Sequence, residues 1–104
     1  MLVVNKQRVR YIAEPTLSGI YFIQAQDKQG LIKIGWSVDC ESRLRILRIG
    51  SPVELRIAAI VPGTRKRERQ LHEQFNHLRV HGEWFRPSPE LLDVIEFCRS
   101  LTRV

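Results

Sequence analysis

Two short apolar segments separated by a polar loop constrain the fold of this chain more than any other feature. Residues 19–25 are rich in aromatic and β-branched side chains, and residues 31–36 alternate apolar with polar or small side chains around Lys33. The intervening residues 26–30 are polar and end in glycine, which is typical of a short hairpin loop. The pattern predicts two neighbouring antiparallel strands.

A helix and a third strand are predicted after the hairpin. Ser37 or Asp39 can cap a helix that ends near Ile49, where Gly50 stops it. Residues 53–61 are mostly apolar and suit a half-buried to fully buried strand. The chain so far therefore reads strand, strand, helix, strand.

Two amphipathic helices complete the predicted order. Thr64 can cap the first of them, in which Leu71 and Phe75 lie on one face, and Ser88 followed by Pro89 starts the second. The stretch between them is predicted to be irregular or strand-like. The sequence thus predicts an α+β fold with a small, three-stranded, mainly antiparallel sheet flanked by helices.

The length of 104 residues fits a single domain. We assign residues 19–104 to this domain and residues 1–18 to an N-terminal extension, in which residues 2–4 and 9–12 could form short strands. The extension could add a strand to the sheet, pair two subunits or remain loose.

The charge balance indicates a polyanionic partner. Seventeen Lys and Arg residues face eleven Asp and Glu residues, which leaves a formal charge of +6. A basic balance in a small domain favours polyanionic partners through phosphate contacts, so nucleic acid is the first expected partner. No apolar run approaches the roughly 20 residues that cross a bilayer, and two cysteines cannot form a disulfide framework. We therefore expect a cytoplasmic protein without a membrane partner.

The spacing of two tripeptides carries a family resemblance. Gly19-Ile20-Tyr21 precedes Lys33-Ile34-Gly35 by eleven residues, and Arg43 follows eight residues after Gly35. This arrangement resembles the paired motif of the GIY-YIG nuclease superfamily, with Lys33 in place of its second tyrosine. The resemblance extends to a phage and prophage branch described as DNA-binding or nuclease-like, through Glu68-Arg69-Gln70-Leu71-His72, Phe75, Arg79 and Gly82-Glu83-Trp84-Phe85.

The residue types also suggest chemistry of their own. The period of two in a strand places the polar Tyr21 and Lys33 on one open face of the hairpin. Glu68 and His72 are four residues apart and share a helical face. A carboxylate, a phenol, an amine and the guanidinium of Arg43 can together form a phosphodiester site.

The resemblance implies a GIY-YIG-type, metal-dependent DNA endonuclease without a small-molecule cofactor. Glu68 would ligate a single Mg²⁺ or Mn²⁺, Tyr21 would accept the proton of the attacking water, and Lys33 would lower the pKa of that phenol. Arg43 would stabilise charge on the phosphoryl oxygens, and His72 is a further candidate for the active face. The alternative is a non-catalytic DNA-binding module of the same fold.

A basic rim around this site is the predicted DNA contact. Cations in the first turns of a helix oppose its dipole, so those that crowd the second helix point to phosphate binding rather than to stability. Sequence specificity would be low, or it would come from a homodimer or a partner protein. The expected DNA-binding residues are Arg45, Arg48, Arg65, Lys66, Arg67, Arg69 and, as a base contact, Trp36.

Overall fold

The computed structural model describes residues 18–102, so the expected strands at residues 2–4 and 9–12 lie outside the described residues. The strands are β1 (Gly19–Ala25), β2 (Ile32–Ser37), β3 (Leu55–Val61), β4 (Arg79–His81) and β5 (Trp84–Phe85). The helices are α1 (Cys40–Ile49), α2 (Arg65–Gln74) and α3 (Pro89–Thr102), with a short 3-10 turn at Asn76–Leu78. Within residues 18–102, no helix is long and apolar enough to span a membrane.

The strands form one antiparallel sheet in the order β3-β1-β2-β5-β4. The α+β class is confirmed, whereas the predicted strand number was too low, because this sheet has five strands rather than three. The two additional strands contain three and two residues and are joined by a turn in which Gly82 has a φ of 55°. Segments this short show no period of two, so the sequence pattern predicted this stretch only as irregular or strand-like.

The helices begin where their capping residues predict. Asp39, rather than Ser37, caps α1, and the Thr64 hydroxyl accepts a backbone N–H at the start of α2. The Ser88 hydroxyl accepts a backbone N–H in the first turn of α3. These side chains accept hydrogen bonds from N–H groups that have no partner within the helix, and they determine the residue at which each helix begins.

The alternation in β1 creates two cores, one on each face of the sheet. Ile20 and Phe22 point to the face covered by α2 and α3, and Tyr21 and Ile23 point to the face covered by α1. The larger core contains Ile20, Phe22, Ile32, Ile34, Ala59, Val61, Leu71, Phe75, Phe85, Leu91, Ile95 and Cys98. The smaller core contains Tyr21, Ile23, Ala25, Cys40, Leu44 and Leu55. Both cysteines are free and buried.

Candidate functional site

The two glycines of the paired tripeptides each lie where a side chain would collide with a neighbour. The strand register places Tyr21 opposite Gly35, and a Cβ on Gly35 would lie 2.3 Å from the phenol oxygen. Gly19 has a φ of 141°, and a Cβ there would lie 2.2 Å from the carbonyl oxygen of Val61. Gly35 therefore leaves the space in which the ring of Tyr21 crosses β2.

The phenol of Tyr21 is paired with Arg43 from α1. Tyr21 is only 1% exposed, and the guanidinium of Arg43 donates a hydrogen bond to its oxygen. Burial raises the pKa of Tyr21 above its ordinary value, the hydrogen bond from Arg43 partly opposes this, and the negative charge of Glu83 adds to the increase. Arg43 is thus the cation that contacts the phenol.

Lys33 lies on the same face of the hairpin as Tyr21 but contacts a different group. Its amine is 3.1 Å from a carboxylate oxygen of Glu83 and 5.6 Å from the centre of the Trp84 ring. The Lys33 side chain is 11% exposed. The family resemblance implied that this amine lowers the pKa of the phenol, whereas in the structure the amine pairs with the carboxylate of Glu83.

Glu68 and His72 face the sheet from α2. The distance between the Glu68 carboxylate and His72 Nε2 is 3.8 Å, and the two side chains are 12% and 16% exposed respectively. His72 Nε2 is also 2.8 Å from the carbonyl oxygen of Ile34 in β2. Because a carbonyl only accepts hydrogen bonds, Nε2 carries the proton and donates it to Ile34.

Glu83, in the turn between β4 and β5, lies close to Glu68 and His72. One potential ligand atom from each of Glu68, His72 and Glu83 lies within 4.8 Å of the others. Carboxylate oxygens and imidazole nitrogens are common ligands of divalent cations. Glu83 was not among the predicted site residues, although the Gly82-Glu83-Trp84-Phe85 motif contained it.

An open cleft of about 400 Å³ lies between α1, α2 and the ends of the central strands. Among the five residues predicted to be catalytic, Tyr21, Arg43 and Glu68 line it. Lys33 and His72 are outside the lining but contact Glu83 and Glu68, which belong to it. The residues that line the cleft are Tyr21, Trp36, Ser37, Val38, Arg43, Arg65, Glu68 and Glu83.

Two of the predicted DNA-binding residues, Trp36 and Arg65, form one side of the cleft. The indole N–H of Trp36 donates to the carbonyl oxygen of Gly63 at 2.8 Å. The guanidinium of Arg65 lies over the Trp36 ring, 4.4 Å from its centre. These contacts fix the indole and hold a positive charge at the cleft.

The other predicted DNA-binding residues do not line the cleft. Arg45 donates to the hydroxyl of Ser42 in the same helix, and Arg48 donates to the carbonyl of Leu55, which ties α1 to β3. Arg67 lies toward α3, where its charge partly opposes the rise that burial causes in the pKa of the Cys98 thiol. Lys66 and Arg69 are exposed on α2. The basic side chains of α2 therefore surround the helix instead of forming one stripe.

Comparison with known proteins identifies one family. The model of the T5orf172 domain matches residues 18–101, whereas no curated protein and no solved structure matches the chain significantly. The assignment to the GIY-YIG superfamily was wrong, because the matching model describes a different family. A T5orf172 domain suggests a phage-type, nuclease-like or DNA-binding module, for which DNA is a fitting partner.

Proposed function

The chain belongs to the T5orf172 domain family, and we propose that it is a metal-dependent endonuclease that hydrolyses phosphodiester bonds in DNA. The single observation that supports this proposal best is the shared cleft, in which Tyr21, Arg43 and Glu68 come from β1, α1 and α2. A proton acceptor, a phosphate-binding cation and a carboxylate are the groups that phosphodiester hydrolysis requires.

Arg43 and Arg65 would bind the phosphate. Both guanidinium groups line the cleft, and a guanidinium can form two parallel hydrogen bonds with phosphate oxygens. The net charge of +6 would attract DNA over a longer range. Arg43 would therefore contact both the phenol of Tyr21 and the phosphate beside it.

The residues of the cleft fit a divalent cation, which Glu68 would hold. The carboxylates of Glu68 and Glu83 lie close together in a cleft that would receive an anionic phosphate, and because Lys33 pairs with Glu83, a cation would compensate the charge of Glu68. When bound, Mg²⁺ or Mn²⁺ would act as a Lewis acid toward a phosphoryl oxygen.

Tyr21 would accept a proton from the attacking water through its phenol oxygen. Its hydrogen bond from Arg43 stabilises the ionised form, but burial still raises its pKa above the ordinary value. Only a small fraction of Tyr21 is therefore ionised at neutral pH, and the hydrolysis rate should rise with pH. A buried tyrosine with one bound guanidinium is also well positioned, because few other orientations are available to it.

Nicking of supercoiled plasmid DNA in the presence of Mg²⁺ or Mn²⁺ tests the proposal. Glu68→Gln should lower the nicking rate by at least about 10²-fold, a loss comparable to that of one strong electrostatic contact in an active site. Its binding of DNA should be retained. Glu73→Gln is the matched control, because Glu73 is exposed on the same helix and should be dispensable.

The burial of Tyr21 favours a second candidate function, a non-catalytic DNA-binding module. A phenol that is 1% exposed and has a raised pKa is a weak proton acceptor. The same assay separates the two functions. Purified wild-type protein that binds DNA but does not nick it with either ion would support the binding module and contradict the endonuclease.

A further inference from the structure

Glu83 occupies an unusual electrostatic position for an acid in a short turn. One of its carboxylate oxygens lies within 4.8 Å of potential ligand atoms of Glu68 and His72. The amine of Lys33, on β2, lies 3.1 Å from a carboxylate oxygen of Glu83. Two carboxylates at this separation repel each other unless positive charge lies nearby. Lys33 compensates Glu83, whereas Glu68 is 12% exposed and faces the imidazole.

The hydrogen bond of His72 determines which nitrogen of its ring could bind a cation. Because Nε2–H donates to the carbonyl of Ile34 at 2.8 Å, the neutral ring carries its free lone pair on Nδ1, and a cation would bind there rather than at Nε2, the nitrogen 3.8 Å from the Glu68 carboxylate. Metal-binding histidines typically donate their other ring N–H to a carbonyl or carboxylate in this way, which fixes the tautomer and the orientation of the ring. Packing against Phe85, with 5.2 Å between the ring centres, further restrains His72.

We propose that Glu68, His72 and Glu83 together form the cation site, with Glu83 as its second carboxylate ligand, and that this site prefers Mn²⁺ to Mg²⁺. The inference rests on the proposed function, which requires a cation at Glu68, and it adds two ligands and a metal preference. Mg²⁺ favours oxygen ligands and retains its water molecules. Transition-metal ions accept an imidazole nitrogen more readily, so a mixed donor set favours Mn²⁺.

Direct measurement of Mn²⁺ binding in the absence of DNA tests this site. The electron paramagnetic resonance signal of free Mn²⁺ would be titrated against the wild-type protein and against Glu83→Gln. The variant should bind Mn²⁺ at least about tenfold more weakly, because even a residue that only supports a metal ligand typically contributes 10- to 100-fold to affinity. Glu73→Gln should bind as the wild type does. Mg²⁺ should displace Mn²⁺ only at an excess of tenfold or more.

A second variant protects the test against changes in folding. His72→Gln should also weaken Mn²⁺ binding at least tenfold, and circular dichroism of each variant would show whether its helices remain. Wild-type affinity in Glu83→Gln together with lost binding in Glu68→Gln would overturn the three-residue site. Equal affinity of the wild type for Mg²⁺ and Mn²⁺ would overturn the metal preference, and absence of Mn²⁺ binding would overturn both.

The outcome is separable from that of the nicking assay. If Glu83→Gln loses Mn²⁺ binding but the wild type does not cleave plasmid DNA, the cation site is supported and the proposed endonuclease is contradicted. If the wild type cleaves DNA and Glu83→Gln binds Mn²⁺ normally, the endonuclease is supported and the role of Glu83 is contradicted.

Discussion

On the face of the sheet that packs against α2 and α3, the larger core consists of aliphatic and aromatic hydrocarbon side chains and one thiol. On the face that packs against α1, the smaller core includes the hydroxyl of Tyr21 and lies next to the ion pair between Lys33 and Glu83. Both cores draw on β1, whose successive side chains point to opposite faces. Of the side chains that β1 contributes to the smaller core, Ile23 and Ala25 are hydrocarbon, and Tyr21 lines the polar cleft.

This difference separates the residues that stabilise the fold from those that would act on a substrate. Buried hydrocarbon stabilises in proportion to the apolar area removed from water. Buried polar groups contribute less, because hydrogen bonds with the protein replace hydrogen bonds with water. The larger core should thus account for most of the stability, and substitutions in the two cores should affect different measurements.

The largest effect on stability is expected for Phe22→Ala in the larger core. Phe22 is fully buried, and truncation of a buried phenylalanine typically costs about 3–5 kcal/mol of unfolding free energy. Urea denaturation followed by circular dichroism would measure it. Phe97→Ala is the matched control, because Phe97 is 64% exposed and its loss should change stability by less than about 0.5 kcal/mol. Equal losses in the two variants would contradict this assignment of the core.

Tyr21→Phe, at the residue before Phe22, should change stability little and plasmid nicking strongly. The substitution removes one hydroxyl and its hydrogen bond with Arg43, which should cost only about 1 kcal/mol of stability. Loss of the proton acceptor should lower plasmid nicking by about 10²- to 10⁴-fold. Stability would be measured by urea denaturation and cleavage by the rate of nicking.

The pH dependence of nicking sharpens this second prediction. Because the pKa of Tyr21 is raised, the wild-type rate should increase about tenfold per pH unit up to and beyond pH 9. A residual rate in Tyr21→Phe with the same slope, or unchanged nicking at neutral pH, would show that another group accepts the proton.

Cys40 provides a test of burial beneath α1. Burial raises the pKa of its thiol from 9.0 to about 11, so the folded state binds a proton more tightly than the unfolded state does. The associated stability is present below pH 9 and is lost as the pH rises through 11, by about 2–3 kcal/mol in total. Cys40→Ala should therefore lose less stability than the wild type between pH 8 and pH 11. Urea denaturation at pH 8 and pH 11 would measure the unfolding free energy of both proteins. An equal loss in the wild type and in Cys40→Ala would contradict the burial of this thiol.

Local sequence signals predicted the three long strands and three helices, because period-two alternation and capping residues such as Asp39 and Thr64 act over a few residues. The two short strands lack such a signal, and so does the contact between Lys33 and Glu83, which depends on how β5 pairs with β2. The tripeptides suggested the wrong family. One reason is that Gly35 meets a packing requirement: the ring of Tyr21 leaves no room for a side chain.

The smallest effect is expected on DNA affinity when a single arginine of α2 is replaced. Comparing two such variants distinguishes the side of the helix that faces the cleft from the other side. Arg65 lines the cleft, whereas Arg67 lies toward Cys98 of α3. Arg65→Gln should weaken DNA binding severalfold and reduce the salt dependence by about one phosphate contact. Arg67→Gln removes the same charge and should change the salt dependence less. Fluorescence anisotropy of a labelled duplex at several salt concentrations would measure both variants. If the two reduce the slope equally, DNA binds around α2 through net charge alone, and the cleft has no special part in binding.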